Sequence, residues 1–379
     1  MFAVLRFPRP LLALAGTAAA VFASAFAQAH HGVTTKFDPK QNTAFEGRIS
    51  RVDWANPHAH LFLLVNQNGE ELPWYVELES PQILELNGWS EDTLHAGEML
   101  KVEGPRARDG SRQIWGNSVV RKDDGKAVMT TDKFPTLLSA LPQRTAPPTP
   151  RGADGKPLLG APKGDAGYWV PTLNTLQEDG AKVAMAANGQ LENIADAARV
   201  APLQNWALKL YQFRQNNFLN SDPTYVACRP PAGPRKFLDP FGIQLLEDKP
   251  LQRIFAIAGG GNHDWHLIYT DGRALDGDAF DLDAGNQLYY GRNSAHWEGD
   301  TLVIESEGYN EKFWLPGGLP HSDLMHATER LTRVDYDTLN LELTINDPGT
   351  YTRPWKASWT LKWLDGADPA EHYCQDNRL

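Results

Sequence analysis

The sequence predicts a mainly β protein. A small OB-like N-terminal β-barrel is followed by a larger antiparallel β domain, lipocalin-like or a curved sheet, with one or two helices. Three observations predict this. Short runs of alternating apolar and polar residues recur along most of the chain, the period-two signature of half-buried strands. Tight-turn pairs such as Asn68-Gly69, Asp109-Gly110 and Asp271-Gly272 separate those runs. Stretches with helical spacing are few. At 379 residues, with 41% hydrophobic content, the chain is long enough for two packed domains.

Residues 1–29 read as a secretory signal peptide. Arg6 and Arg9 precede an apolar run over residues 11–26, which ends in Ala25-Phe26-Ala27-Gln28-Ala29. This is a positive start, a short apolar core and an A-x-A cleavage pattern. The run is too short for a secure membrane span, so no transmembrane segment is expected in the mature chain. Periplasmic or secreted localisation follows. Cleavage after Ala29 makes His30 the new N-terminus; cleavage after Ala27 makes it Gln28.

Residues 30–122 form the expected small barrel. Alternation runs over residues 44–52, with further short runs at 61–65, 74–78, 99–102 and 114–120. Five short strands within so little chain fit a partly closed barrel. Ser80 and Pro81 suit the start of one short helix. Residues 123–166 are rich in Pro, Gly and Lys, the composition of a linker or a surface-draped arm. Residues 167–379 form a helix-preceded β domain. Pro202 can start the helix, whose Leu203, Trp206, Leu210 and Phe213 share a face, read as a packing stripe. Strands are expected at residues 253–258, 265–269, 287–290, 301–307, 328–336, 339–345 and 355–363. A meander of this kind closes into a barrel or curls strongly, and can enclose one small ligand.

The formal charge is -11, and removing residues 1–29 takes away two arginines and no acid, giving -13. Such a balance argues against nucleic acid as a partner. The chain has two cysteines, Cys228 and Cys374. In an exported protein a single disulfide is the default, with two free thiols as the alternative.

Three groups of residues carry possible chemistry. The first is His30-His31 with Asn56-Pro57-His58-Ala59-His60. Histidines two apart on a strand share a face, so His58 and His60 can stand side by side. With His30, His31 and a free terminal amine they suit copper or zinc; the alternative is a turn in which His58 holds backbone carbonyls. The second is Asn262-His263-Asp264-Trp265-His266 with Asp271 and Arg273, where His266 and Asp271 can form an acid–base pair or simply serve a hairpin. The third is His296 and Glu298, followed by His321, His326, Glu329 and Arg330. On a strand, Glu329 opposes the face of His326 and Arg330; on a helical turn His326 and Glu329 converge.

Two functions remain in view. One is a binding protein for a small ligand, with Trp265, Trp297, Arg273, His321, His326 and Arg330 as ligand-binding candidates and Trp314 and Trp355 close by. The other is an exported enzyme acting on a small molecule or saccharide through His266, Asp271, His296, Glu298, His321 and Glu329. No nucleotide cofactor is expected. Gly259-Gly260-Gly261 lacks a dinucleotide fingerprint, and P-loop, GxSxG and HExxH patterns do not occur. Residues 281–286 fail as an EF-hand loop, because glycine is misplaced and Arg292 takes the closing acid position.

The motifs His30-His31, Phe45-Glu46-Gly47, Trp54-Ala55-Asn56-Pro57-His58 and Trp74-Tyr75-Val76-Glu77-Leu78-Glu79-Ser80-Pro81 resemble a domain of unknown function common in exported bacterial proteins. The later half is similar to a widespread C-terminal partner of that domain, through Cys228-Arg229-Pro230-Pro231, Thr270-Asp271-Gly272-Arg273, Trp297-Glu298-Gly299-Asp300-Thr301-Leu302, Pro320-His321-Ser322, Glu329-Arg330 and Tyr373-Cys374. The resemblance implies export, two β-rich domains and a Cys228–Cys374 link. It assigns no catalytic role to any residue.

Overall fold

The computed structural model describes residues 36–369, apart from 56–57, 87, 131–143, 173–176, 179–180, 184, 186–189, 218–220, 240, 260–263 and 276–286. The expected signal peptide over residues 1–29, and His30, His31, His263 and Cys374, lie outside the described residues.

The first sheet has seven strands: β1 (Phe37–Asp53), β2 (His60–Gln67), β3 (Glu70–Glu77), β4 (Met99–Ala107), β5 (Gln113–Trp115), β6 (Ser118–Arg121) and β7 (Ala127–Thr130). Their order is β1-β2-β3-β5-β4-β6-β7, and β1 also pairs with β4. That second pairing closes the first five strands into the expected OB-like barrel. β3 and β5 run parallel, and every other described pairing in this sheet is antiparallel. Register shifts in β1 at Asp38/Asn42 and Ile49/Arg51 let one long strand bend round to both neighbours. Alternate residues Leu61, Leu63 and Val65 point inward with Val76, Leu100, Val102 and Ile114. A short helix, α1 (Pro81–Leu86), bridges β3 and β4.

The second sheet has nine strands. These are β8 (Gly167–Pro171), β11 (Ile243–Asp248), β12 (Arg253–Ala258), β13 (Trp265–Tyr269), β14 (Arg292–Glu298), β15 (Thr301–Glu307), β16 (His326–Asp335), β17 (Thr338–Asn346) and β18 (Trp355–Asp365); β9 (Gln177–Glu178) and β10 (Ala181–Lys182) form a separate small ladder. The order is β13-β12-β11-β8-β18-β17-β16-β15-β14, antiparallel throughout. Two meanders are therefore joined through β8. The sheet curls until its edges meet. Asn293 on β14 accepts from the Tyr269 N–H at 3.0 Å and donates to the Leu267 carbonyl at 2.8 Å. A side-chain amide thus stitches β14 to β13 in place of a regular ladder. One contiguous apolar core supports this sheet, with Trp169, Leu245, Leu331, Leu341 and Trp363 among its buried members.

Two expectations are corrected. Residues 287–290 form no strand. Leu288 makes a single bridge to Tyr309, and the segment becomes the wall of a cavity. The main helix, α2 (Asn205–Asn216), buries Ala207, Tyr211 and Gln215. The stripe of Trp206 and Phe213 faces outward, at 46% and 60% exposure. Tertiary hydrogen bonds set this rotation: Gln215 accepts from the Leu191 N–H and donates to the Gly317 carbonyl. The Pro-rich segment, read as a linker or a surface-draped arm, packs on folded strands over its described parts. β7 pairs with β6, and residues 144–165 lie against the second sheet. Arg333, 2% exposed, donates to the carbonyls of Leu158, Gly160 and Tyr336, while Arg144 and Arg151 pair with Asp337 and Asp300.

Candidate functional site

Two places gather polar side chains. In the barrel, β2 and β3 place His60 opposite Glu77, and His58 follows the same alternation one step before the strand. His58 Nδ1 lies 2.6 Å from Glu77 Oε1, Lys36 Nζ donates to Glu77 Oε2 at 2.8 Å, and His60 Nε2 stands 3.9 Å from that oxygen. Phe37, Ala107 and Trp115 form a small apolar cluster beside them, with the Trp115 ring edge-on to His58. Burial pushes the His60 imidazole below its ordinary pKa and the Glu79 carboxyl above its own. His58 and His60 therefore do come together, joined by Glu77 at the end of an alternating strand, with Glu79 just beyond it within the field of His58; the sequence reading overlooked both acids. Among the described residues no three such donors already stand as a metal cluster.

The second place lies at the seam of the large sheet. A cavity of about 660 Å³ is lined by β13 (with Asp264 just before it), by Leu288, Tyr289, Tyr290 and Gly291, and by Asn293 and Pro230. Gly291 makes this wall possible. Its φ is +66°, and a Cβ there would sit 2.6 Å from the Glu307 carbonyl, so only glycine turns the chain here from the wall into β14. Trp265 stands at the cavity, 58% exposed, tilted against Phe255. The His266 ring is 8% exposed and stacks on Tyr290, with centroids 4.6 Å apart and planes within 10°. Burial, aided by the charge of Lys236, holds the imidazole well below its usual pKa, so it is neutral. Burial likewise raises the Tyr290 hydroxyl, keeping its proton. That hydroxyl has no hydrogen-bond partner among the described residues.

The other sequence candidates disperse. Asp271 accepts from the Arg273 guanidinium in a turn, and Arg273 covers the Tyr269 ring at 3.6 Å. His296 and Arg330 meet Glu298 in an exposed group. Glu329 is buried against Lys236, whose Nζ lies 2.7 and 2.9 Å from its two oxygens. On β16, Glu329 faces the core and His326 and Arg330 the other side, so they do not converge. His321 is buried against Phe313, with its two ring nitrogens facing the carbonyls of Phe313 and Ser322, and its pKa is lowered to about 4 by burial. Trp297 lines a smaller cavity of about 170 Å³ with Asp154 and Lys156. Trp314 and Trp355 are core residues. Of the catalytic candidates only His266 lines the large cavity, and of the ligand-binding candidates only Trp265. Tyr289 and Tyr290 were hidden in the expected strand over 287–290. The adjacent aromatic pair before a glycine was the available signal.

Residues 18–115 match a family of unknown function (DUF6152). The matched segment ends at Trp115, the last residue of β5, and includes His58, His60, Glu77 and Glu79. The large sheet lies outside it. No functionally curated protein matches the chain. Among the described residues no helix is long and apolar enough to cross a membrane.

Proposed function

We propose that this chain is an exported binding protein that holds a small ligand in the cavity at the seam of the large sheet. One observation carries the reading: a roomy aromatic cavity presents two neutral polar side chains, His266 and Tyr290. Its volume lies within the roughly 300–1,000 Å³ common for small-molecule sites. The dispersal of Asp271, His296, Glu298, His321 and Glu329 favours binding over acid–base catalysis, which needs such groups within reach of one reacting atom. Export rests on Arg6, Arg9 and the apolar run after them. The Cys228–Cys374 link rests on export and on the presence of only two cysteines.

The test is native mass spectrometry on full-length protein recovered from the exported fraction of producing cells. The expected result is a chain starting at Gln28 or His30, two protons lighter for the disulfide, carrying a small-molecule mass that Trp265→Ala loses. A chain retaining residues 1–27 and confined to the cytoplasm overturns export. Wild-type and variant chains carrying the same bound mass overturn the cavity as its site.

A second reading is favoured by the barrel cluster. We propose that His58 and His60 hold copper or zinc together with His30 and His31, and that Glu77 orients the His58 ring as carboxylates commonly do behind metal-bound histidines. His58→Ala with His60→Ala then lowers metal uptake without unfolding the chain. Equal uptake by the double variant defeats this reading.

A further inference from the structure

The chemistry of the seam cavity narrows what it can hold. Trp265, Tyr269, Tyr289 and Tyr290 dominate the lining with Leu288 and Pro230, and such surfaces pack best against flat rings. Most polar groups there are already used. The Asn293 amide is spent on β13, the Tyr289 hydroxyl accepts from Arg229, and Arg273 is tied to Asp271. Asp264, the acid in the lining, has interactions of its own. Two groups remain. The described residues give the His266 ring no hydrogen bond, and the Tyr290 hydroxyl is buried without one. A neutral imidazole and a phenol each donate and accept. The buried Tyr290 hydroxyl is left unmatched at a desolvation cost, so a ligand that pairs with it and with His266 gains affinity.

Charge is selected against in both senses. An anion would favour a protonated His266, which burial and Lys236 oppose. A cation would find the Asp264 carboxylate already engaged and would gain no counter-charge from the neutral His266 and Tyr290. We propose that the cavity takes a neutral, planar ring compound bearing a hydroxyl or carbonyl group, packed against Trp265 and hydrogen-bonded by His266 and Tyr290. This rests on the reading of the cavity as a ligand site.

The experiment is equilibrium dialysis of the full chain with four probes of one shape: β-naphthol, naphthalene, β-naphthoate and β-naphthylmethylammonium. The expected order places β-naphthol at least about ten-fold tighter than the other three, the scale of one well-made hydrogen bond in a dry site. Tyr290→Phe, which keeps the ring stacked on His266, brings β-naphthol close to naphthalene and leaves naphthalene unchanged. His266→Gln provides a second variant, with a smaller loss for β-naphthol because a donor and an acceptor survive. Trp265→Ala weakens all four probes. If either ion binds as tightly as β-naphthol, the ligand class is wrong while the cavity reading stands. If β-naphthol binds no tighter than naphthalene, or keeps its advantage in Tyr290→Phe, the assigned hydrogen bonds are wrong. If no probe binds, naphthalene included, or if Trp265→Ala changes nothing, the cavity reading falls as well.

Discussion

Lys236 and Glu329 form an ion pair that is almost wholly buried, at 3% and 0% side-chain exposure. Such a pair contributes little net stability, yet breaking it is costly, because the surviving charge stays in the core. Lys236→Met is expected to destabilise the chain by about 3–5 kcal/mol, and Lys236→Met with Glu329→Leu to recover most of that; urea denaturation measures both. A double variant no more stable than the single one would show that the lysine acts through something other than its charge. His321 gives a pH dependence. Its folded pKa of about 4 lies below the ordinary 6.5, so the unfolded chain takes up the proton first. Stability from this group is full above pH 6.5 and is lost as pH falls towards 4, by up to about 3 kcal/mol. Buried His266 acts in the same direction. Melting temperatures should fall over that window, and less steeply in His321→Gln. Equal slopes in the two proteins would remove His321 as a cause.

At the scale of elements, closure of the barrel depends on how closely β4 approaches β5. A Cβ at Gly104 would stand 1.6 Å from the Trp115 carbonyl oxygen, a full overlap with backbone, whereas one at Gly47 would meet the side chains of Val65 and Leu63 at 3.0 and 3.1 Å and the Leu64 carbonyl oxygen at 3.2 Å, contacts that a shift of a few tenths of an ångström relieves. Backbone cannot yield as a side chain can. Gly104→Ala is expected to destabilise the barrel by about 3 kcal/mol or more, at the upper end of overpacking costs, and Gly47→Ala by about 1 kcal/mol. Denaturation followed by barrel tryptophan fluorescence checks the contrast. The elements were legible in the sequence to different degrees. Strands β12 and β13 carry clean alternation bounded by turn residues, so they were expected where they occur. β8, β11 and β14 of the large sheet were missed. Gly167–Pro171 is buried almost throughout, so it shows no period of two, and β14 opens with Arg292-Asn293-Ser294, which reads as a loop. The helix α2 was legible as a helix, but its buried face was not: Gln215 is held by partners distant in sequence, while Trp206 faces outward.

Across the whole molecule, the proposed Cys228–Cys374 link would close a loop of about 146 residues and constrain the unfolded chain by roughly 4–5 kcal/mol in the chain-entropy model. Reductant is therefore expected to lower the melting temperature, and Cys374→Ser to abolish that sensitivity. A melting temperature indifferent to reductant counts against the link. Composition, turn pairs and alternation by themselves determined a mainly β chain in two sheets, with an OB-like barrel first. These follow from local steric preference and from the need to bury one face of each strand, and both are written in neighbouring residues. The candidate sites were decided by tertiary structure. His58 and His60 were visible as a pair, but Glu77 joins them only because β2 and β3 align in that register. The large cavity exists because a nine-stranded sheet curls until Asn293 reaches β13. Tyr290 comes to stack on His266 because Gly291 turns the chain. Register and curvature are properties of the assembled sheet, and no local stretch of residues specifies them.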